Sequence, residues 1–362
     1  MKIIVSIMRV FVGLLFIISG LIKLNDPLGF SFKLDEYFSP AVFNLDFLSV
    51  FSLPLAVFLV ILEVLLGVAL LIGIWRRLVV FNLLGLITFF TFLTFYSAYY
   101  NKVTDCGCFG DAIKLTPWES FTKDVILLIA ILILYWGYKH INYWVSYRWS
   151  IRLMSLSLIG SVFLGYWVLS HLPLIDFRPY KIGVSIPKQM EIPEDAPAEE
   201  YRYIWTFERD GKVFEEITSG SFPDLSDANF TGSVKTELVQ AAFEPPIHDF
   251  TMMLDGEDYT SSLLGEEKAI LITSYDFESA SLNDFDKVVN FAEEKATKGY
   301  VIYGMTAASD SSVNKFYEEY GTVIRWYQCD QTTVKTIVRS NPGVLWLSQG
   351  VITDKKHIND IY

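Results

Sequence analysis

The 362-residue sequence predicts an α-helical membrane bundle, four helices plus a fifth transmembrane helix, followed by a C-terminal α/β domain. Three observations predict it. Five apolar runs, near 3–24, 53–74, 78–99, 120–139 and 151–171, each reach the ~20 residues that a bilayer-spanning helix needs. Charge divides the chain: residues 1–181 hold 14 Lys and Arg against 10 Asp and Glu, whereas residues 182–362 hold 15 against 31. Beyond residue 247, short strand-like runs alternate with segments of helical periodicity. The expected organisation is a four-helix bundle over 1–145, a fifth span within 146–181, an extended linker and β-hairpin region over 182–246, and an α/β domain over 247–362.

Composition excludes several functions. An acidic C-terminal half cannot clamp phosphates, which need clustered Lys and Arg, so nucleic acid is not an expected partner. Three cysteines, Cys106, Cys108 and Cys329, are too few for a disulfide-stapled scaffold. The four histidines, His140, His171, His248 and His357, show no ligand spacing, and no metal is expected. Membrane lipid is the one partner that composition requires.

The first apolar run continues into Leu21-Ile22-Lys23-Leu24-Asn25 without a small-x-small cleavage pattern, and four more runs follow. It is therefore expected to be retained as a span rather than removed as a signal peptide. Lys and Arg in the short loops divide evenly between the two sides. The compact Arg76-Arg77 turn and the Lys139–Arg152 segment favour an N-terminus inside. In either orientation, five spans put the loop after span three on the same side as the C-terminal half.

Two ionisable groups, Arg9 and Glu63, are read as lying inside the spans. A carboxylate at the centre of a span costs about 2.5–3.5 kcal/mol, so it needs a partner or a function. At ~1.5 Å per residue, Arg9 lies about 9 Å and Glu63 about 16 Å from the same membrane face. That leaves a gap two long side chains can close. The readings are a structural ion pair, or a carboxylate serving a proton or quinone site.

The loop after span three reads Asp105-Cys106-Gly107-Cys108-Phe109-Gly110-Asp111. Thr116-Pro117-Trp118-Glu119 then gives a helix start: Thr116 as N-cap, Pro117 in the first turn and Glu119 completing a capping box. Cys-Gly-Cys can close a small strained disulfide, and strained disulfides are the labile ones. Gly107 and Gly110 permit the backbone angles such a loop needs. A static staple, or two idle thiols, remains the alternative.

Arg9, Gly13, Phe16, Ser19-Gly20, Lys23 and Asp26-Pro27 resemble the first helix and following turn of DoxX-type membrane proteins. Glu63 with Gly67, and Cys106-Gly107-Cys108-Phe109-Gly110, resemble the related MauE membrane proteins. The resemblance covers about residues 1–140. It implies a four-helix, redox-associated bundle in a bacterial inner membrane, with Cys106 and Cys108 as the redox pair. Arg9, Glu63 and Lys23 become the candidate intramembrane binding site.

In the C-terminal half, prolines from Ile186-Pro187 to Pro197 read as linker, and Arg209-Asp210-Gly211-Lys212 as a hairpin turn. Residues 247–362 resemble thioredoxin-like proteins of the peroxiredoxin-related branch. Asn341-Pro342-Gly343 looks like their cis-proline turn. The family's catalytic cysteines are missing: the expected position reads Tyr275-Asp276-Phe277-Glu278-Ser279-Ala280-Ser281. Serine cannot form the mixed disulfide of thiol exchange. Cys329 is read as a buried, inert core thiol, the alternative being a bond to Cys106 or Cys108.

The expected function is a thiol–disulfide or electron relay through the Cys-Gly-Cys loop. It would act between an extracytoplasmic, thiol-bearing client protein and a membrane acceptor, with quinone as the candidate cofactor. The α/β domain would lie in the periplasm or outside and recruit the client. A non-enzymatic membrane-anchored assembly factor is the competing expectation. A transporter is a third, resting on Glu63 alone, with no repeat or broken-helix pattern beside it.

Overall fold

A computed structural model of the chain describes residues 1–103, 107–113, 115–225, 227–240 and 242–361, without the Leu282 side chain. Helices α1 (Lys2–Asn25), α3 (Ser52–Ile72), α4 (Arg76–Tyr100), α5 (Pro117–Gly137) and α6 (Tyr147–Ser170) are each long and apolar enough to cross a membrane. All five coincide with the apolar runs to within a few residues. The short helix α2 (Pro27–Phe38) follows α1 directly. Its start is locally encoded, because Asp26 accepts a hydrogen bond from the Gly29 N–H at 2.9 Å and Pro27 occupies the first turn.

The bundle core is built from Val12, Phe16, Val60, Leu70, Leu83, Ile87, Ile131 and Leu134. The outward faces are also apolar: Ile7, Phe11 and Ile18 on α1, and Leu156, Ile159 and Phe163 on α6, are exposed. An apolar belt of that extent is stable against lipid and not against water. Helices α1 and α3 run antiparallel in close contact. A Cβ added at Gly67 would lie 2.9 Å from the Gly13 carbonyl oxygen and 3.0 Å from the Ile17 nitrogen, both backbone atoms. One added at Gly20 would lie 2.7 Å from Val64 Cγ2. Small residues at the crossing therefore set the register of the two helices.

Residues 251–362 form a seven-stranded sheet in the order β10-β9-β6-β7-β8-β4-β5. The strands and helices, in sequence after those of residues 184–250, are β4 (Met253–Leu254), β5 (Glu257–Asp258), α8 (Thr260–Gly265), β6 (Ala269–Ser274), α9 (Leu282–Thr297), β7 (Val301–Thr306), α10 (Asp310–Tyr320), β8 (Arg325–Gln328), α11 (Gln331–Ile337), β9 (Gly343–Ser348) and β10 (Val351–His357). Strands β6, β7 and β8 are parallel and joined through α9 and α10, whereas β9 and β10 add antiparallel. Every residue of β6 is buried, as expected for a strand covered on both faces. Ile270, Ile272, Val344 and Trp346 pack against Phe285, Val288 and Phe291 of α9 and Phe316 of α10. The short apolar run at 249–254 pairs only at Met253 and Leu254.

Residues 184–250 form a separate compact unit. After α7 (Ile186–Met190) it holds a three-stranded antiparallel sheet, β2-β1-β3, made of β1 (Glu200–Arg209), β2 (Lys212–Thr218) and β3 (Asn229–Gln240). Asp210 and Gly211, both with positive φ, turn β1 into β2. Trp205, Phe207, Phe222 and Phe230 gather on one face of this sheet. The region read as linker and hairpin thus contains a third strand.

Candidate functional site

Helix α5 begins as its residues dictate. The Thr116 hydroxyl accepts from the Glu119 N–H, and the Glu119 carboxylate accepts from the Thr116 N–H at 2.9 Å, forming the capping box. Cys106 lies outside the described residues, with Thr104, Asp105 and Lys114. From Gly107 onward the loop is a tight turn in which the Gly110 N–H donates to the Gly107 carbonyl at 3.0 Å. Gly107 and Gly110 have φ of 66° and 50°, the left-handed region that favours glycine. Cys108, Phe109 and Gly110 are half-buried. Gly107 packs on Lys33 of α2, and Gly110 on Ile22 of α1.

Beneath this turn lies a buried polar cluster. Glu63 and Lys23 form an ion pair at 2% and 3% exposure. Lys23 is further held between the rings of Phe30 and Phe90, each 5.2 Å from its ammonium. The Ser19 hydroxyl donates to the Cys108 carbonyl at 3.0 Å and lies 3.5 Å from Glu63. One hydroxyl therefore links the cysteine loop to the intramembrane carboxylate.

Arg9 does not reach Glu63, contrary to the depth argument. It sits near the other end of α1, where Nε donates to the Leu70 carbonyl at 2.8 Å and Nη2 to the Leu71 carbonyl at 2.5 Å. Nη1 donates to the Asn142 carbonyl at 2.9 Å, and the guanidinium stacks 4.5 Å over Trp144. Arg9 thus satisfies the last carbonyls of α3, where a cation also suits the helix dipole. Of the three intramembrane candidates, the fold brings Glu63 and Lys23 together and sends Arg9 elsewhere.

A second buried carboxylate was overlooked. Asp124 on α5, 1% exposed, accepts from the Thr94 hydroxyl of α4 at 3.0 Å and pairs with Lys123 at 2.6 Å. Lys123 in turn lies 5.4 Å from the Phe109 ring centroid. The sequence signal was present, since Lys123-Asp124 falls within the apolar run at 120–139.

The α/β region meets the loop through a buried ion network. Arg339 pairs with Asp26 at 2.7 Å and with Asp111 at 3.0 Å, and its third nitrogen donates to the Lys335 carbonyl. Asp176 accepts both Arg178, at 2.8 and 3.0 Å, and Lys355, at 2.6 Å. Burial works against the Asp26 carboxylate, but Arg339, Arg178 and the Gly29 N–H outweigh it and hold the group below its ordinary value. Asp176 is lowered likewise, as Arg178 and Lys355 outweigh burial. Burial and the neighbouring Arg178 push Lys355 down to about 7.

Arg339 lies two residues before Asn341 of the Asn341-Pro342 turn, whose peptide is cis. The Asn341 amide donates to the Asp276 carbonyl at 2.6 Å and to the Ser279 hydroxyl at 2.8 Å, and its oxygen accepts from Ser274. The turn therefore ties down the segment 275–281, which carries no cysteine. Beside it an open cleft of about 250 Å³ is lined by Phe32 and Asp35 of α2 and by Tyr275 and Lys335. Cys329 is half-buried rather than buried, just after β8, with its N–H donating to the Thr306 carbonyl at 2.9 Å. Among the described residues no three His, Cys, Asp or Glu side chains gather as metal ligands do.

Comparison with curated proteins and with solved structures found no match. The family model described as methylamine utilisation protein MauE matches residues 1–137, so the first four spans and the cysteine loop are similar to that family of membrane proteins.

Proposed function

We propose that this multi-pass membrane protein is a thiol–disulfide relay working through Cys106 and Cys108. The observation that carries this reading is the tie from the Cys108 carbonyl through Ser19 to the buried Glu63–Lys23 pair. Ionisable groups inside a span are costly to bury and so mark candidate functional positions, and this pair lies under a cysteine loop. The similarity of residues 1–137 to MauE supports a redox or assembly role at a membrane.

In this reading the loop disulfide accepts two electrons from a pair of client thiols, giving the client disulfide and the loop dithiol. The dithiol then reduces a lipid-soluble quinone to the quinol, and two protons accompany the two electrons. The α/β region is a thioredoxin-like domain that has given up its own thiol chemistry. It stands on the extracytoplasmic side of a bacterial inner membrane and receives an extended client segment, with the cleft beside Tyr275 and Lys335 as the entry. Asn341 and Pro342 shape that surface rather than react.

Differential alkylation of Cys106 and Cys108 in intact membranes, across a series of glutathione potentials, tests the relay. A reversible two-thiol transition, lost in Cys106→Ser and in Cys108→Ser, is expected. Thiols that never pair, or a bond that never reduces, would leave the second reading: a membrane-anchored assembly factor. That reading is favoured by the Arg339 ion pairs with Asp26 and Asp111, which join the α/β region to the bundle through charge alone.

A further inference from the structure

We infer that the three-stranded sheet of residues 184–250 is a docking face for a protein partner, which meets it with an extended basic segment carrying apolar side chains. The inference goes beyond the relay proposed above and stands on a part of the chain that holds no cysteine.

Strand register fixes the face. Tyr203, Trp205 and Phe207 of β1 stand opposite Thr218, Glu216 and Phe214 of β2. On the other side of β1, Tyr201, Trp205 and Phe207 stand opposite Leu238, Val234 and Phe230 of β3. Directly paired residues project from the same side of a sheet, so these side chains share one face. That face has two halves. In the first, Phe222 folds over Phe207 and Phe230, with ring centroids 5.8 and 5.5 Å away, and leaves Phe207 only 1% exposed. The second half is open: Tyr201, Val234 and Leu238 are exposed at 37%, 46% and 54%. The Tyr203 ring lies between those of Tyr201 and Trp205, 6.5 and 6.2 Å away. Single exposed apolar residues are ordinary on a surface, but a contiguous row of them marks an interaction site.

Charge identifies the occupant. Residues 184–250 hold 5 Lys and Arg against 14 Asp and Glu, a net of −9. The open half carries two carboxylates: Glu199, which accepts from the Tyr201 hydroxyl at 3.0 Å, and Glu216, opposite Trp205. The cations of the sheet are placed elsewhere. Register puts Arg202 and Lys235 on the opposite face, where Lys235 pairs with Glu237 at 2.7 Å. Arg209 and Lys212 stand at the hairpin turn, and Arg209 pairs with Asp227 at 2.6 Å. Lys and Arg side chains of a partner therefore suit the open half in two ways. They complement its carboxylates, and cations are attracted to the faces of Tyr and Trp rings. Alternate residues of an extended segment recur at about 6.5 Å, the repeat of Tyr201, Tyr203 and Trp205 along β1. An anionic lipid surface, or a second acidic copy of this chain, is repelled by the same charge.

The test uses the full-length protein in phosphatidylcholine nanodiscs and two fluorescent peptides, one alternating Lys and Val, the other Glu and Val. Fluorescence anisotropy is expected to show binding of the Lys–Val peptide, weakened by salt, and at least tenfold weaker binding of the Glu–Val peptide. Tyr201→Ser with Leu238→Ser removes exposed anchors and leaves buried Phe207 in place, and is expected to weaken binding about tenfold. Glu199→Gln with Glu216→Gln is expected to weaken it roughly fivefold and to flatten its salt dependence, so the inference does not depend on one variant folding. Equal binding of both peptides, or wild-type affinity in both double variants, would overturn the docking face. Absence of Lys–Val binding would overturn it as well. In that case, a shift from dimer to monomer on Tyr201→Ser with Leu238→Ser would assign the face to a second copy. Quenching of Trp205 fluorescence by brominated lipid, read against Trp205→Phe, would assign it to the membrane.

Discussion

Glu63 and Lys23 are the residues on which the membrane half depends most sharply. A buried pair is roughly neutral as a whole, but removing one partner leaves an uncompensated charge. Glu63→Gln strands the Lys23 ammonium between Phe30 and Phe90, and is expected to lower stability by about 3–5 kcal/mol. Thermal unfolding in detergent reads this as a fall in Tm. A double change, Glu63→Leu with Lys23→Met, should recover most of the loss. If the single variant unfolds at the wild-type temperature, the pair does not hold the bundle. The Arg9 error belongs to this scale too. Depths counted from an assumed flat membrane face placed Arg9 near Glu63, whereas the α1–α3 register is set by Gly13, Gly20 and Gly67, which put Gly20 level with Glu63.

Among the elements, the segment that runs from α11 into the Asn341-Pro342 turn is what joins the α/β region to the cysteine loop. Arg339 satisfies Asp26 at the start of α2 and Asp111 in the loop, while Arg178 donates to the Thr336 carbonyl of α11 at 3.2 Å. Arg339→Leu keeps bulk and removes all three polar contacts. It should cost about 3 kcal/mol, or roughly a hundredfold more of the opened form. Limited proteolysis in membranes is the readout, with cleavage of the α6–α7 connection accelerated in the variant. Unchanged cleavage would mean that apolar packing, for instance Phe32 on Tyr275, holds the two together instead. Helix α2 was missed although Asp26-Pro27 is a proper start signal, because it is short and its apolar pattern is mixed.

For the whole molecule, the ion network makes the joining of bundle and α/β region depend on pH with a definite sign. Asp26 and Asp176 are lowered below the ordinary carboxylate value of 3.8. Their contribution is present above that value and is lost as pH falls through the folded pKa values. Lys355 is lowered from 10.5 to about 7, so between those limits the unfolded chain binds the extra proton and stability rises with pH. Both effects act in one direction. Resistance to unfolding, followed by protease susceptibility from pH 3 to 10, should be least in acid and increase toward alkaline pH. A maximum in acid would show that this network does not govern the join. The same network explains why membrane and α/β regions, so different in composition, form one compact unit.

The sequence by itself determined the five spans, because a bilayer demands about 20 apolar residues in a row and no packing partner is needed to see them. It determined the α5 capping box and the glycine-dependent turn after Cys106, since both are local chemistry within a few residues. The alternation of strands and helices after residue 247 was legible for the same reason. Tertiary structure alone decided which charges meet. Ser19 reaches Cys108 across 89 positions, Lys23 reaches Glu63 across 40, and Arg339 reaches Asp111 across 228. No local pattern encodes such pairings, because they follow from helix register and from where the α/β region lies on the bundle. The charges that surround the cysteine loop are therefore a property of the fold, while the loop itself is a property of the sequence.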